Sequence, residues 1–357
     1  MKYFVVDAFT DRPFGGNPAG VVLLDADTFP SEALMCRIAA ELRYSETAFI
    51  RRHSAQEFTL RYFTPKAEVE LCGHATIASF YLLHRQGLAA GLCRCHTLAG
   101  DLDIEAGERV MMQMALPRIV ATIADSREIY EALGVSGYQP ALPVQVVSTG
   151  LPDLMIPLPD VATLQSLQPD MAAVEAITRR LAVVSFHPFA FANDDYTAHV
   201  RDFAPLYGIP EESATGTANA ALTHYLQQCG LLDAGAEASF IQGEAMGRPS
   251  VVATRIRPDG RIFVGGTAVV VAEGSLLDEQ YARINPMSEA FDRLSRLSAV
   301  PTAEDVECLR EYMDSGQWMR DFEADERGEV GPEVNRSVLS EDGLYNLLRD
   351  LDDAAGD

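Results

Sequence analysis

Cys72-Gly-His-Ala-Thr-Ile-Ala-Ser-Phe-Tyr-Leu-Leu-His-Arg-Gln-Gly-Leu88 decides the fold, because the chain carries a second version of it. At an offset of 143, Thr215–Leu231 repeats six of its 17 residues: Gly73 with Gly216, Ala75 with Ala218, Ala78 with Ala221, Leu83 with Leu226, Gly87 with Gly230 and Leu88 with Leu231. Upstream, Arg61-Tyr-Phe63-Thr-Pro65 is echoed by Arg201-Asp-Phe203-Ala-Pro205, and Glu68 by Glu211. Matching flanks point to internal duplication. Ala75–Gln86 and Ala218–Cys229 are small or apolar around their whole circumference, and Arg85 is the only full formal charge in either. A helix apolar on all sides is buried on all sides, so each copy predicts a central helix wrapped by strands. Each helix opens on glycine, and free N–H groups at two such ends attract a carboxylate. A small organic acid is the expected ligand.

Outward from the first copy, Tyr3–Ala8, Ala19–Leu24, Thr47–Arg51 and Glu57–Phe63 carry the β-branched and aromatic residues of strands between Gly, Pro, Asp and Asn turns. Ser31–Leu42 has the stripe Leu34, Ile38, Leu42 of an amphipathic helix, with Ser31 as N-cap. The expected class is α+β, with two pseudo-symmetric lobes. Lobe 1 spans 1–116 and is joined by a returning strand near 263–275; lobe 2 spans 117–262.

The 357 residues carry a formal charge of −24, which disfavours nucleic acid and anionic membrane partners. From Tyr281 to Asp357 there are 19 acidic and 8 basic side chains, so a separate acidic module is expected at 288–357 after a linker at 276–287. Thr302 with Asp305 resembles a capping box, Ser340 is the N-cap expected for a helix bearing Leu344, Leu347 and Leu351, and Trp318 lies beside Phe322. The module resembles a small bacterial domain of unknown function. Trp318 either packs internally or anchors a protein partner.

The chain opens without a signal-peptide pattern, and no apolar run is long enough to span a membrane, so the expectation is a cytoplasmic protein. Its six cysteines fit no zinc or redox spacing, HExxH is absent, and Gly15-Gly-Asn17-Pro18 lacks the phosphate-loop pattern. Neither a metal nor a cofactor is expected.

Asp7-Ala-Phe-Thr-Asp-Arg-Pro-Phe-Gly-Gly-Asn17-Pro18-Ala-Gly, Tyr44-Ser-Glu46-Thr-Ala-Phe, Phe63-Thr-Pro65, Cys72-Gly-His74 and Glu211-Glu-Ser-Ala-Thr-Gly-Thr217 stand in an order that resembles the PhzF family of phenazine biosynthesis. The resemblance runs over roughly Met1–Glu273. It implies the diaminopimelate-epimerase fold, a homodimer and a cofactor-independent isomerase, with Glu46 moving a proton at carbon as general base. It also implies Glu212 and His74 as polar partners, and Asn17, Ser45, Gly73, Gly216 and Thr217 as substrate contacts. Taken alone, Glu46 also fits an exposed helix–strand turn, and His74 a helix N-cap; Thr217 is expected to cap the second helix. Glu212 and Thr217 replace the usual Asp and Ser, which separates this chain from the phenazine substrate. Two further readings are an amino-acid racemase or epimerase, disfavoured because Cys72 is matched by Thr215, and a non-catalytic acid-binding protein working through its module.

Overall fold

A computed structural model describes residues 1–357 except 25–27, 277–278, 296–301, 332–333, 341 and 356–357. The chain divides into two compact units, one holding Tyr3–Leu24 and Thr28–Gly274, the other chiefly Ser275–Asp357.

The duplication is visible as pairing order in the first unit. In lobe 1, Asn17–Leu23 runs parallel to Thr47–Arg52, which is antiparallel to Glu57–Phe63. Glu57–Phe63 is parallel to Gly91–Thr97, and two antiparallel steps lead through Gly100–Ala106 to Val110–Gln113. Lobe 2 repeats the same succession of parallel and antiparallel steps through Pro152–Pro157, Phe186–Ala190, Ala198–Val200, Glu237–Gln242, Ser250–Ile256 and Ile262–Gly266. Ile262–Gly266 also pairs antiparallel with Val110–Gln113 of lobe 1, so one strand is common to both lobes. Gly265 is required there, because a Cβ would lie 1.8 Å from the Val110 carbonyl oxygen. Ala268–Ser275 then pairs with the N-terminal strand Lys2–Ala8.

Each lobe wraps a 13-residue helix, Gly73–Arg85 and Gly216–Gln228. His74–Leu83 is buried without a break, and in the second helix Ala218–Thr223, Tyr225 and Leu226 are buried. Ala, Ser and Thr on all faces admit strands from every side, which a helix with one polar face cannot do. The duplication extends to contacts. Arg61 makes a two-pronged bond to Glu68 at 2.7 and 2.5 Å, and Arg201 makes the same bond to Glu211 at 2.8 and 2.7 Å. The α+β, two-lobed expectation therefore holds down to individual ion pairs. Ser31 caps Glu32–Leu42 by accepting from the Leu34 N–H at 3.3 Å.

In the second unit, the helices Glu279–Ser295, Ala303–Asp314, Gln317–Glu326 and Gly343–Ala355 enclose a core that includes Leu309, Tyr312, Val338, Leu344 and Leu348. Thr302 caps its helix, accepting from the Asp305 N–H at 3.2 Å. Two readings are corrected. The stretch 276–287, read as a linker, is helical from Glu279; 277–278 lie outside the described residues. Pro286 lies inside that helix, where Ile284, Ser288 and Ala290 are buried, and tertiary burial outweighs propensity. Ser340 closes a short 3-10 turn, and the last helix begins at Gly343, so Ser340 is not its N-cap. Trp318 stacks on Phe322 with ring centroids 5.4 Å apart, and its indole N–H donates to the Val338 carbonyl at 2.8 Å. Its polar edge is thereby used in internal packing. No helix among the described residues is long and apolar enough to cross a membrane.

Candidate active site

Glu46 stands between the end of Glu32–Leu42 and the start of Thr47–Arg52. The preceding helix is closed by Arg43 in the left-handed region at φ 61°, and the Glu46 carbonyl accepts from the Gly20 N–H at 3.1 Å. Gly20 allows that approach, since a Cβ there would lie 2.6 Å from Thr47 Oγ1. The Glu46 carboxylate reaches the N-terminus of the first central helix, where Oε2 lies 3.4 Å from His74 Nε2. His74 is buried, and burial pushes its imidazole down, favouring the neutral ring, while the charge on Glu46 acts in the opposite sense.

Cys72 is the N-cap residue of that helix, in extended backbone conformation and with no side-chain capping bond. Neither His74 nor Thr217 acts as a cap. In the second helix the N-cap position is Thr215, whose hydroxyl donates to Asp202 Oδ2 at 3.0 Å. The expected capping role of Thr217 is therefore corrected; its carbonyl accepts from the Thr149 hydroxyl at 3.0 Å. Both helices start on glycine without packing need. A Cβ at Gly73 would meet only Met112 Cε at 3.7 Å, and one at Gly216 would meet Val264 and Phe9 at 3.5 Å or more. These are ordinary contacts, so neither glycine is explained by a neighbour inside the protein.

Glu212 enters from lobe 2. Asn17, buried at the start of its strand, donates its amide both to Glu212 Oε1 and to the Ala214 carbonyl, the latter at 3.1 Å. Burial pushes the Glu212 carboxyl up to about 7; the Asn17 bond opposes this, and the charges of Asp202 and Glu46 add to it. Asn17 is held in turn by its own loop. The Arg248 guanidinium donates to the Gly16 and Gly15 carbonyls at 2.9 and 2.7 Å and to Asp7 at 2.9 Å. Ser45 is solvent-exposed, and no hydrogen bond among the described residues ties it to this group.

The arrangement offers two carboxyl groups in different surroundings, one against an imidazole and one buried with an amide. Surroundings that separate two carboxyls in this way suit them to acid and base work.

Residues 6–274 match the family described as phenazine biosynthesis-like protein (PhzC-PhzF). The chain belongs to this family. Residues 275–357 match a domain of unknown function, DUF4298. An uncharacterized isomerase of Deinococcus radiodurans is 40% identical, covering 76% of this chain and 94% of that protein. A trans-2,3-dihydro-3-hydroxyanthranilate isomerase of Pseudomonas chlororaphis is 31% identical, covering 77% and 99%. The crystal structure of a Bacillus anthracis phenazine biosynthesis protein of the PhzF family superposes with a TM-score of 0.71 at 28% identity, covering 78% and 99%. A probable proline racemase from Agrobacterium radiobacter K84 shares the fold, with a TM-score of 0.54 at 12% identity over 78% and 93%.

Within this phenazine biosynthesis-like scaffold, sequence reading missed the polar network behind the second helix. Asp202 Oδ1 accepts from the Ser185 hydroxyl at 2.6 Å and from His187 Nδ1 at 2.9 Å. Gln242 donates to the Glu212 carbonyl at 2.8 Å and accepts from the Thr215 N–H at 3.1 Å. The one available signal was Asp202 itself, a carboxylate where the first copy has Tyr62. Cys72, read as a small buried residue, is buried, and its Sγ also lies 3.4 Å from His74 Nδ1.

Proposed function

We propose that the chain is an isomerase, independent of any cofactor, that shifts a proton at carbon on a small cyclic or unsaturated carboxylic acid. Glu46 is the general base, and Glu212, whose carboxyl burial raises to about 7, returns or stabilises the proton; His74 is their polar partner. The observation that carries this reading is the meeting of Glu46 with buried His74 at 3.4 Å, beside a helix N-terminus whose glycine the protein's own packing does not require. A substrate carboxylate accepting from the N–H groups at Gly73, Gly216 and Thr217 would set its α or vinylogous carbon before Glu46. Asn17 orients Glu212. Relatives named isomerases support the reaction class. The substitutions Glu212 and Thr217, each longer or bulkier than the family's usual residue, argue for an acid other than the phenazine precursor.

A racemase with two thiols is less well supported, because Thr215 takes the place opposite Cys72 and its hydroxyl already donates to Asp202. The family resemblance supports a cytoplasmic homodimer, which light scattering on the purified chain tests. The decisive experiment on the chemistry mixes the protein with candidate acids in deuterated water. Deuterium enters carbon in the wild type and not in Glu46→Gln; incorporation that survives the substitution removes Glu46 as base.

A further inference from the structure

We propose that Glu46, Cys72 and His74 form a binding site for a zinc-like divalent cation, and that occupation of this site switches the enzyme off. Among the described residues these three are the only set of His, Cys, Asp or Glu whose ligand atoms converge, all within 4.8 Å of one another. The separations suit one ion. Bonds of about 2.3 Å to sulfur and about 2.0–2.2 Å to nitrogen and oxygen, at tetrahedral angles, place S and N about 3.5 Å apart and N and O about 3.3 Å apart. Here Cys72 Sγ lies 3.8 Å from His74 Nε2, and that same nitrogen lies 3.4 Å from Glu46 Oε2. Sγ also lies 3.4 Å from His74 Nδ1, so the His74 ring turns about its side-chain bonds to aim Nε2 at an ion held between the sulfur and the carboxylate.

Two other histidines have a carboxylate on each ring nitrogen and do not compete. His96 has Asp101 on Nδ1 at 2.7 Å and Glu57 on Nε2 at 3.1 Å, and His199 has Glu244 on Nδ1 and Asp194 on Nε2, both at 2.7 Å. Their partners lie on opposite ring nitrogens and diverge. Only the Glu46 set adds sulfur, which selects zinc over magnesium or calcium. Three protein ligands leave a fourth position open to water or to a carboxylate. On binding, the Cys72 thiol loses its proton to solvent as the metal–sulfur bond forms, and the Glu46 oxygen donates to the metal instead of to a carbon-bound proton. The site stands on geometry alone; the switching-off rests on the role proposed for Glu46.

The test uses the full chain, reduced and stripped with a chelator, titrated with Co²⁺ and then with Zn²⁺ as competitor. The expected result is a thiolate-to-cobalt charge-transfer band that saturates at one equivalent, together with release of a proton. The band is absent in Cys72→Ser, while His74→Ala and Glu46→Gln weaken binding by at least about tenfold. Cys308→Ser leaves it unchanged. Absence of the band in a folded wild type, or its persistence in Cys72→Ser, overturns the site. Should Cys72→Ser not fold, proton release and affinity in His74→Ala decide alone, and unchanged values there overturn it. Zinc at saturating concentration stops deuterium incorporation, and chelator restores it. A bound metal with no turnover on any acid keeps the site and sinks the isomerase; full turnover in zinc with no band does the reverse.

Discussion

The two lobes share a pairing order, a central helix and an Arg–Glu pair, yet their helix N-termini are chemically opposite. Lobe 1 presents a thiol and an imidazole next to Glu46. Lobe 2 presents Thr215 bound to Asp202, with Glu212 steadied by Asn17 and Gln242. Duplication supplies the frame and two glycine-led helix ends; under the proposed mechanism, divergence at a few positions gives one side the base and the other a buried carboxyl. Symmetric function would need symmetric groups, and Cys72 with Thr215 breaks that symmetry at the N-cap itself.

The largest expected effect tests this division. Glu46→Gln should lower turnover about 100- to 10,000-fold, the range for a lost general base. Glu212→Gln, which keeps a neutral donor in place, should cost far less below pH 7; equal losses in the two variants would erase the distinction between the lobes.

Next in size is the shared ion pair. Arg201 is 8% exposed against 21% for Arg61, and it also donates to the Leu164 and Leu167 carbonyls at 3.2 and 3.0 Å. Arg201→Ala should cost about 3–5 kcal/mol, as for breaking a buried pair, and Arg61→Ala about 1–2 kcal/mol in urea unfolding. A reversed order would mean that the lobes do not differ in how deeply they anchor this pair.

The pH dependence comes third. Glu212 has a folded-state value raised from 4.5 to about 7, so the native state holds its proton more tightly than the unfolded chain does. The stabilisation is complete below about 4.5 and is lost as pH rises through about 7. Stability and kcat/KM should both decline across that window, and Glu212→Gln should flatten both curves. Persistence of the decline in stability in the variant would assign it to another group.

The smallest effect concerns the helices on the outside of the lobes. Ser31 caps Glu32–Leu42 with a single bond at 3.3 Å, whereas Asp170 caps the lobe 2 helix Met171–Leu181 with bonds to two N–H groups at 3.0 and 3.2 Å. Each alanine variant should lose about 1 kcal/mol in thermal unfolding, Asp170→Ala more than Ser31→Ala.

What was legible in the sequence follows the physics of each element. Glu57–Phe63 is found at the residues read, because alternation and flanking turns mark a strand locally. Both central helices open on the glycines read at their N-termini, Gly73 and Gly216, because a long apolar run after a glycine marks a buried helix. Arg118–Thr122 escaped notice because it is exposed on both faces and lacks the alternation of a half-buried strand. The ordered motifs revealed Glu46, His74, Asn17 and Glu212, but Asp202, His187 and Gln242 become neighbours only through strand register. The approach of Cys72 to Glu46 was hidden for the same reason. Metal spacings are recognised within short segments, and 26 residues separate these two.

The strand shared by the lobes has a consequence for synthesis. Val110–Gln113 pairs early with Gly100–Ala106 but finds its second partner only when Ile262–Gly266 has left the ribosome, and Lys2–Ala8 waits longer still for Ala268–Ser275. At about 5–20 residues per second, roughly 8–30 seconds pass with the first half of the protein made and its sheet edge bare. During that interval the nascent chain is open to mispairing with its neighbours on the same message, and Gly265, the residue that lets the closing strand fit, decides whether the delay ends in a finished molecule.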